Sequence, residues 1–261
     1  MSKADVKGAV QQQFGNVAQN YTTSKVHAKG QDLQTMVECV TLNADMRVLD
    51  AGAGAGHTAM AFAPYVKEVI AYDLTPAMLI QVEQNAQERG LTNISTQQGD
   101  VENLPFDDDS FDVIVSRYSA HHWMNPAQAV REFARILKPN GYVIFSDIVA
   151  SENPAFDTFL QALELLRDPS HVRDFSVSQW ETMFGEAGFE AEVVDLFDLP
   201  LDFENWIERM QTAPAHVMAL RSLYSGASAD IKAQFNLPDE LPDGTFTFTI
   251  PSLVMKGRLP Q

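Results

Sequence analysis

Short apolar runs alternate along this chain with longer stretches in which apolar residues return at helical spacing. The runs near 46–51, 68–72, 94–98, 111–116 and 142–149 read as strands. The stretches near 57–64, 76–89 and 126–137 read as amphipathic helices. Two further helices, about 7–20 and 25–43, precede the first strand. Ser178 to Glu190 reads as a helix closed by glycine and followed by a sixth strand through 196, and Thr245 to Leu253 alternates as a final strand. Strands separated by helices imply a mostly parallel sheet covered on both faces, an α/β fold. Between the sixth and last strands, residues 198–243 carry helical pieces near 202–211, 214–224 and 228–235. The expected organisation is one domain, 1–261, made of a helical cap (1–44), a core sheet (45–197 and 244–261) and a helical insertion (198–243).

Composition narrows the partners. At 261 residues the chain is long enough for one elaborated α/β unit to bury a full core. A formal charge of −17 opposes a phosphate backbone, which is held by Lys and Arg, so nucleic acid is not the expected partner. Cys39 is the single cysteine, which excludes an internal disulfide and a Cys-rich metal cluster and suits a reducing cytoplasm. The polar start Met1-Ser2-Lys3-Ala4-Asp5 and the lack of a long uncharged apolar stretch predict neither a secretory signal nor a membrane span.

The chemistry concentrates where strands end. The first runs into Val48-Leu49-Asp50-Ala51-Gly52-Ala53-Gly54-Ala55-Gly56. Glycine tolerates positive φ and lets backbone N–H groups approach a ligand, so this turn predicts a nucleotide-like occupant. Its spacing is G-x-G-x-G, and His57 stands where a dinucleotide fingerprint needs its third glycine. The second strand ends in Asp73, placed to accept ribose hydroxyls. With Pro76 just beyond it, Asp73 also reads as a helix N-cap. The third strand brings Asp100 and Val101 to the same edge, where ligands of open α/β sheets collect.

With Asp50 before it, the glycine string resembles motif I of class I S-adenosylmethionine (SAM) dependent methyltransferases. The stretch Leu104 to Ile114, L-P-F-x-D-x-S-F-D-x-I, looks like the signature of the ubiquinone/menaquinone-biosynthesis type, and Phe133 to Phe145 resembles the family's next block. A small bacterial branch with H-V-R and paired-histidine elements is similar as well, through His171-Val172-Arg173 and His121-His122. The resemblance implies a Rossmann-like seven-stranded sheet whose last strand is antiparallel, and methyl transfer from S-adenosyl-L-methionine to a small-molecule acceptor, aromatic or quinone-like.

The resemblance also assigns residues. Asp50, Gly52, Ala53, Gly54 and Gly56 form the cofactor loop, Asp73 holds the ribose, and Leu74 presses on the adenine. Asp100 accepts from the adenine amine, the Val101 N–H donates to the ring, and Arg117 offers its carbonyl to the methionine ammonium or its side chain to a substrate carboxylate. Tyr21 and His27 contact the methionine end from an N-terminal lid, or else pack an amphipathic helix. His121 or His122, at most one facing the pocket, is the candidate proton acceptor. No metal site is expected, because no third ligand stands at a recognisable spacing. The segment Leu166 to Arg173 either reaches an anionic substrate group or is a solvated turn, and Trp206, Met210, Met218 and Tyr224 line a pocket or fill a core. An NAD-dependent oxidoreductase, disfavoured by His57, and a non-enzymatic SAM-binding protein are the alternatives.

Overall fold

The runs near 46–51, 68–72 and 111–116 form strands whose residues are mostly shielded on both faces, as parallel strands between helical layers must be. The computed structural model describes residues 5–22 and 30–260, with backbone only for 19–22. The sheet contains β1 (Arg47–Ala51), β2 (Glu68–Asp73), β3 (Ile94–Gln98), β4 (Phe111–Arg117), β5 (Leu137–Ile148), β6 (Glu190–Asp202) and β7 (Thr247–Arg258). Their order is β3-β2-β1-β4-β5-β7-β6, and β7 runs antiparallel to both its neighbours while the other pairings are parallel. Strand order reverses between β1 and β4, which opens a crevice at their carboxyl ends.

Helices α1 (Val6–Thr22), α2 (Gln31–Glu38), α3 (His57–Phe62), α4 (Pro76–Glu88), α5 (Pro126–Ile136), α6 (Pro154–Arg167) and α7 (Val177–Glu186) surround the sheet. The segment between β6 and β7 holds α8 (Phe203–Met210), α9 (Pro214–Ser225) and α10 (Ala229–Gln234). None of the described helices is long and apolar enough to cross a membrane.

Two boundaries differ from the sequence expectation. The helix expected to reach 43 stops at Glu38, where the Cys39 N–H caps it on the Thr35 carbonyl and β-branched Val40 and Thr41 follow. The sixth and seventh strands run on to Asp202 and Arg258, pairing Asp198↔Pro251 through Asp202↔Thr247, so the helical insertion begins at 203. That extension carries its own core. Leu201, Phe248 and Ile250 pack with α6, α8 and α9, and Phe203 stacks on Phe246 at 4.7 Å between ring centres.

Helix α1 bridges the two halves. Gln11 donates to the Leu74 carbonyl above β2, and Gln13 donates to the Met210 carbonyl at the end of α8 (both 2.9 Å). The cap therefore lies across the carboxyl edge of the sheet, where the crevice opens.

Candidate cofactor and acceptor site

The turn after β1 is fixed by backbone geometry. Gly52, Gly54 and Gly56 hold φ of 77°, 51° and 83°, a left-handed region that is costly for a residue with a Cβ. The N–H groups of Gly52 and Ala53 donate to the Tyr72 carbonyl at 2.8 and 3.1 Å, tying the loop to β2. A Cβ on Gly52 would fall 1.9 Å from Ser119 Oγ, whereas one on Gly54 would meet nothing within 4 Å. The Gly54 backbone thus faces open space.

That space is a cleft of about 930 Å³ including its mouth. Gly52 to Ala55, Asp73 to Thr75, Gly99 to Glu102 and Arg117 to Ser119 wall it on the sheet side, and Lys7, Val10 and Phe14 of α1 close it from above. Gly52, Ala53, Gly54, Asp73, Leu74, Asp100, Val101 and Arg117, all expected from the sequence, meet here. Asp73 straddles the turn, Oδ2 accepting from Gly54 N and Oδ1 from Thr75 N (2.8 Å each), while burial pushes its carboxyl upward.

Asp50 and Gly56 are not on the wall. Asp50 is 1% exposed, and its Oδ2 accepts from Ala59 N (2.8 Å), which holds the first turn of α3. Desolvation raises its pKa to about 7. Gly56 caps α3 with its Cα turned toward Val82. Both residues shape the loop from behind.

Other sequence expectations change on contact with the tertiary structure. The Arg117 guanidinium is paired with Asp32 of α2, Nε to Oδ2 at 2.5 Å and Nη2 to Oδ1 at 2.9 Å, so it does not reach for a substrate carboxylate. Asp100 Oδ2 accepts from Lys7 Nζ (2.5 Å), and Lys7 also donates to Glu102 (2.7 Å). The Tyr21 side chain and His27 lie outside the described residues. Leu166 to Arg173 is no solvated turn, since Arg167, Asp168, Ser170 and His171 are buried. Of the four proposed lining residues, Trp206 reaches a cavity, Met210 and Tyr224 fill core, and Met218 is 68% exposed.

The cavity that Trp206 reaches, hereafter the inner cavity, is smaller, about 470 Å³ including its mouth, and shares Phe14, Tyr118 and His122 with the first. Tyr118 takes φ of 49° as the chain leaves β4, a strained conformation of the kind that concentrates at functional sites. His121 and His122 follow on a 3₁₀ turn with ring centres 4.3 Å apart, and both line the inner cavity. Of the two, His122 lines the cofactor cleft and both line the inner cavity, where the 3₁₀ turn, tied to Asp147 Oδ2 by the Ala120 N–H, sets the rings beside one another.

Their environments diverge. His121 Nδ1 lies 2.7 Å from Asp147 Oδ1. Burial works against its charge, but the Asp147 carboxylate outweighs that and lifts the pKa to about 9. His122 Nδ1 lies 3.1 Å from the Ser170 carbonyl, and burial together with charged His121 pushes it down to about 4. At neutral pH, His121 is a cation and His122 a neutral imidazole. No cluster of His, Cys, Asp and Glu able to hold a metal occurs among the described residues.

The His121–Asp147 pair has a consequence for stability. A pKa of about 9 in the folded chain against about 6.5 in an unfolded one means the pair's contribution is fully present below about pH 6.5. It is lost as pH rises through about 9. Asp147→Asn should flatten that fall in a series of urea midpoints between these limits, and an unchanged slope would contradict the pairing.

A glycine turn after β1, a carboxylate at the end of β2 and a crevice at the switch point are the parts of a Rossmann-like nucleotide-binding fold. A family profile described as a methyltransferase domain matches residues 49–145. The chain is 39% identical to the uncharacterized methyltransferase YcgJ of Bacillus subtilis, over 94% of this chain and 96% of that one. It is 42% identical to the Escherichia coli protein YafE over 76% of this chain and 95% of that one. The crystal structure of Bacillus YcgJ superposes with a TM-score of 0.85 at 38% identity, covering 88% of this chain and 98% of that one. The chain belongs to this family of SAM-dependent methyltransferases. Its cofactor is S-adenosylmethionine, and the cleft suits that group: the Gly54 face is open and the Asp73 carboxylate stands on the wall.

Sequence reasoning missed Lys7, Val10, Asp32, Asp147, Glu164 and Arg209. Each is brought in by tertiary packing across long sequence separations, and no local motif marks it.

Proposed function

We propose that this enzyme transfers the methyl group of SAM to a small-molecule acceptor held in the inner cavity, in the cytoplasm. The observation that carries the reading is that two cavities meet at a common wall of Phe14, Tyr118 and His122. SAM supplies a methyl carbon on a sulfonium, whose S–C bond breaks with its electrons kept on sulfur as the acceptor's lone pair forms the new bond.

The chain's own work is then positioning and shielding. Asp73 accepts the ribose hydroxyls with the lone pairs left over from Gly54 and Thr75. Leu74 and Val101 flank the adenine, and Asp100 accepts from its amine beside Lys7. The Gly52–Gly54 turn and the Arg117 carbonyl receive the methionine end. Helix α1 lies over the cleft and excludes water, a lid role that rests on Lys7, Val10 and Phe14.

His122 is neutral in the physiological range and is the group able to take a proton from an O–H or N–H acceptor. As a weak base it suits a nucleophile whose proton becomes acidic during transfer. His121, already charged, holds the Asp147 carboxylate and lends positive potential to the inner cavity.

Incubation with methyl-labelled SAM and a metabolite extract tests the reading. Label is expected in the acid-soluble, low-mass fraction, matched by release of S-adenosylhomocysteine (SAH). Label found only in protein or nucleic acid would overturn the acceptor class, and binding of SAM without any turnover would leave a SAM-binding protein in place of an enzyme.

A further inference from the structure

The inner cavity has a polarity that the sequence did not suggest. Ile148, Leu199, Leu201 and Ile250 give it apolar sides, enough for a short carbon skeleton. Glu164 and Arg167 of α6 and Arg209 of α8, all buried, line it as well. Burying a charge or a polar atom is costly unless it is paired and hydrogen-bonded. Arg167 donates Nε to the Trp206 carbonyl (3.1 Å), lies over the Trp206 ring, and sets Nη1 3.5 Å from Glu164 Oε2. Glu164 Oε1 is buried and meets no hydrogen-bond donor among the described residues. Of the charged groups lining the cavity, Arg167, Arg209 and His121 are cationic and Glu164 is acidic. Asp147 and Asp168 lie behind the wall, Asp147 on His121 and Asp168 on the Ser170 turn.

We propose that the inner cavity selects a compact acceptor bearing both a carboxylate and a hydrogen-bond donor, the carboxylate against Arg209 and Arg167 and the donor, a hydroxyl or amine, against Glu164 Oε1. A guanidinium matches a carboxylate with two parallel N–H bonds, and the lone acceptor on Glu164 is satisfied by an O–H or N–H of the same molecule. The remaining end of the acceptor then lies toward Phe14, Tyr118 and His122, the side on which methyl transfer occurs. A long prenyl tail exceeds what about 470 Å³, opening included, encloses. The assignment rests on the methyltransferase reading and narrows its acceptor.

Ligand-observed NMR on the SAH-saturated protein tests it with L-lactate and L-serine as probes. Propionate, which lacks the donor, and methyl lactate, which lacks the anion, are the paired controls, and catechol stands for the aromatic class. Lactate or serine is expected to bind at least about tenfold more tightly than either control, since each loses a charge-assisted or buried hydrogen bond. Arg209→Met and the isosteric Glu164→Gln should each weaken probe binding about tenfold or more while changing SAH affinity less than about twofold. Should Arg209→Met fail to fold, the wild-type comparison and Glu164→Gln still decide the matter. Equal binding of methyl lactate, or catechol binding in preference to the carboxylates, overturns the inference and leaves the cofactor site standing. Loss of SAH binding by the wild-type protein would overturn the underlying reading instead.

Discussion

Asp73→Ala is expected to lower SAH affinity about 10- to 100-fold, the scale of losing hydrogen bonds to a charged carboxylate. The carboxylate sits on the cleft wall with one backbone N–H on each oxygen, so it retains acceptor capacity for a diol. The same side chain ties the Gly54 and Thr75 amides together, and its loss also loosens the turn that the methionine end must meet. Calorimetry on the folded variant reads the effect. Affinity within about twofold of wild type would remove Asp73 from the ribose site.

The second large effect concerns stability. Arg117 and Asp32 side chains are 3% and 1% exposed, so their pairing is shielded from solvent and screened little. Arg117→Met would leave the Asp32 carboxylate buried without its guanidinium, a situation that costs about 3–5 kcal/mol. Pairing it with Asp32→Leu removes the stranded charge and should recover most of the loss. Urea unfolding of the single and double variants measures both. A single-variant cost under about 1 kcal/mol would mean that the pair does not sit desolvated beneath the cleft.

The strands at the crevice were legible because each is a short apolar run, Val48 to Asp50 and Val69 to Asp73 stopped by an acid and Phe111 to Ser116 by Arg117. The same pattern displayed Asp73 and Asp100 at the carboxyl edge, and both line the cleft. Strand β6 was cut short for a physical reason. It is the edge strand, half exposed along its length, and Asp195, Asp198 and Asp202 make its far end look like a loop until β7 is seen pairing with it. The ion pairs were illegible for another. Lys7 meets Asp100 across 93 residues and Arg117 meets Asp32 across 85, so neither leaves a local signal. The inner cavity, assembled from β5, α6, β6, α8 and β7, exists only once those elements pack.

The crystal structure of the enzyme with SAH tests the central claim most directly. The account predicts the ribose hydroxyls within hydrogen-bond distance of Asp73, the adenine between Leu74 and Val101, and the sulfur facing the wall of Phe14, Tyr118 and His122. A ribose away from Asp73, or a sulfur turned from that wall with the inner cavity on its far side, would contradict it.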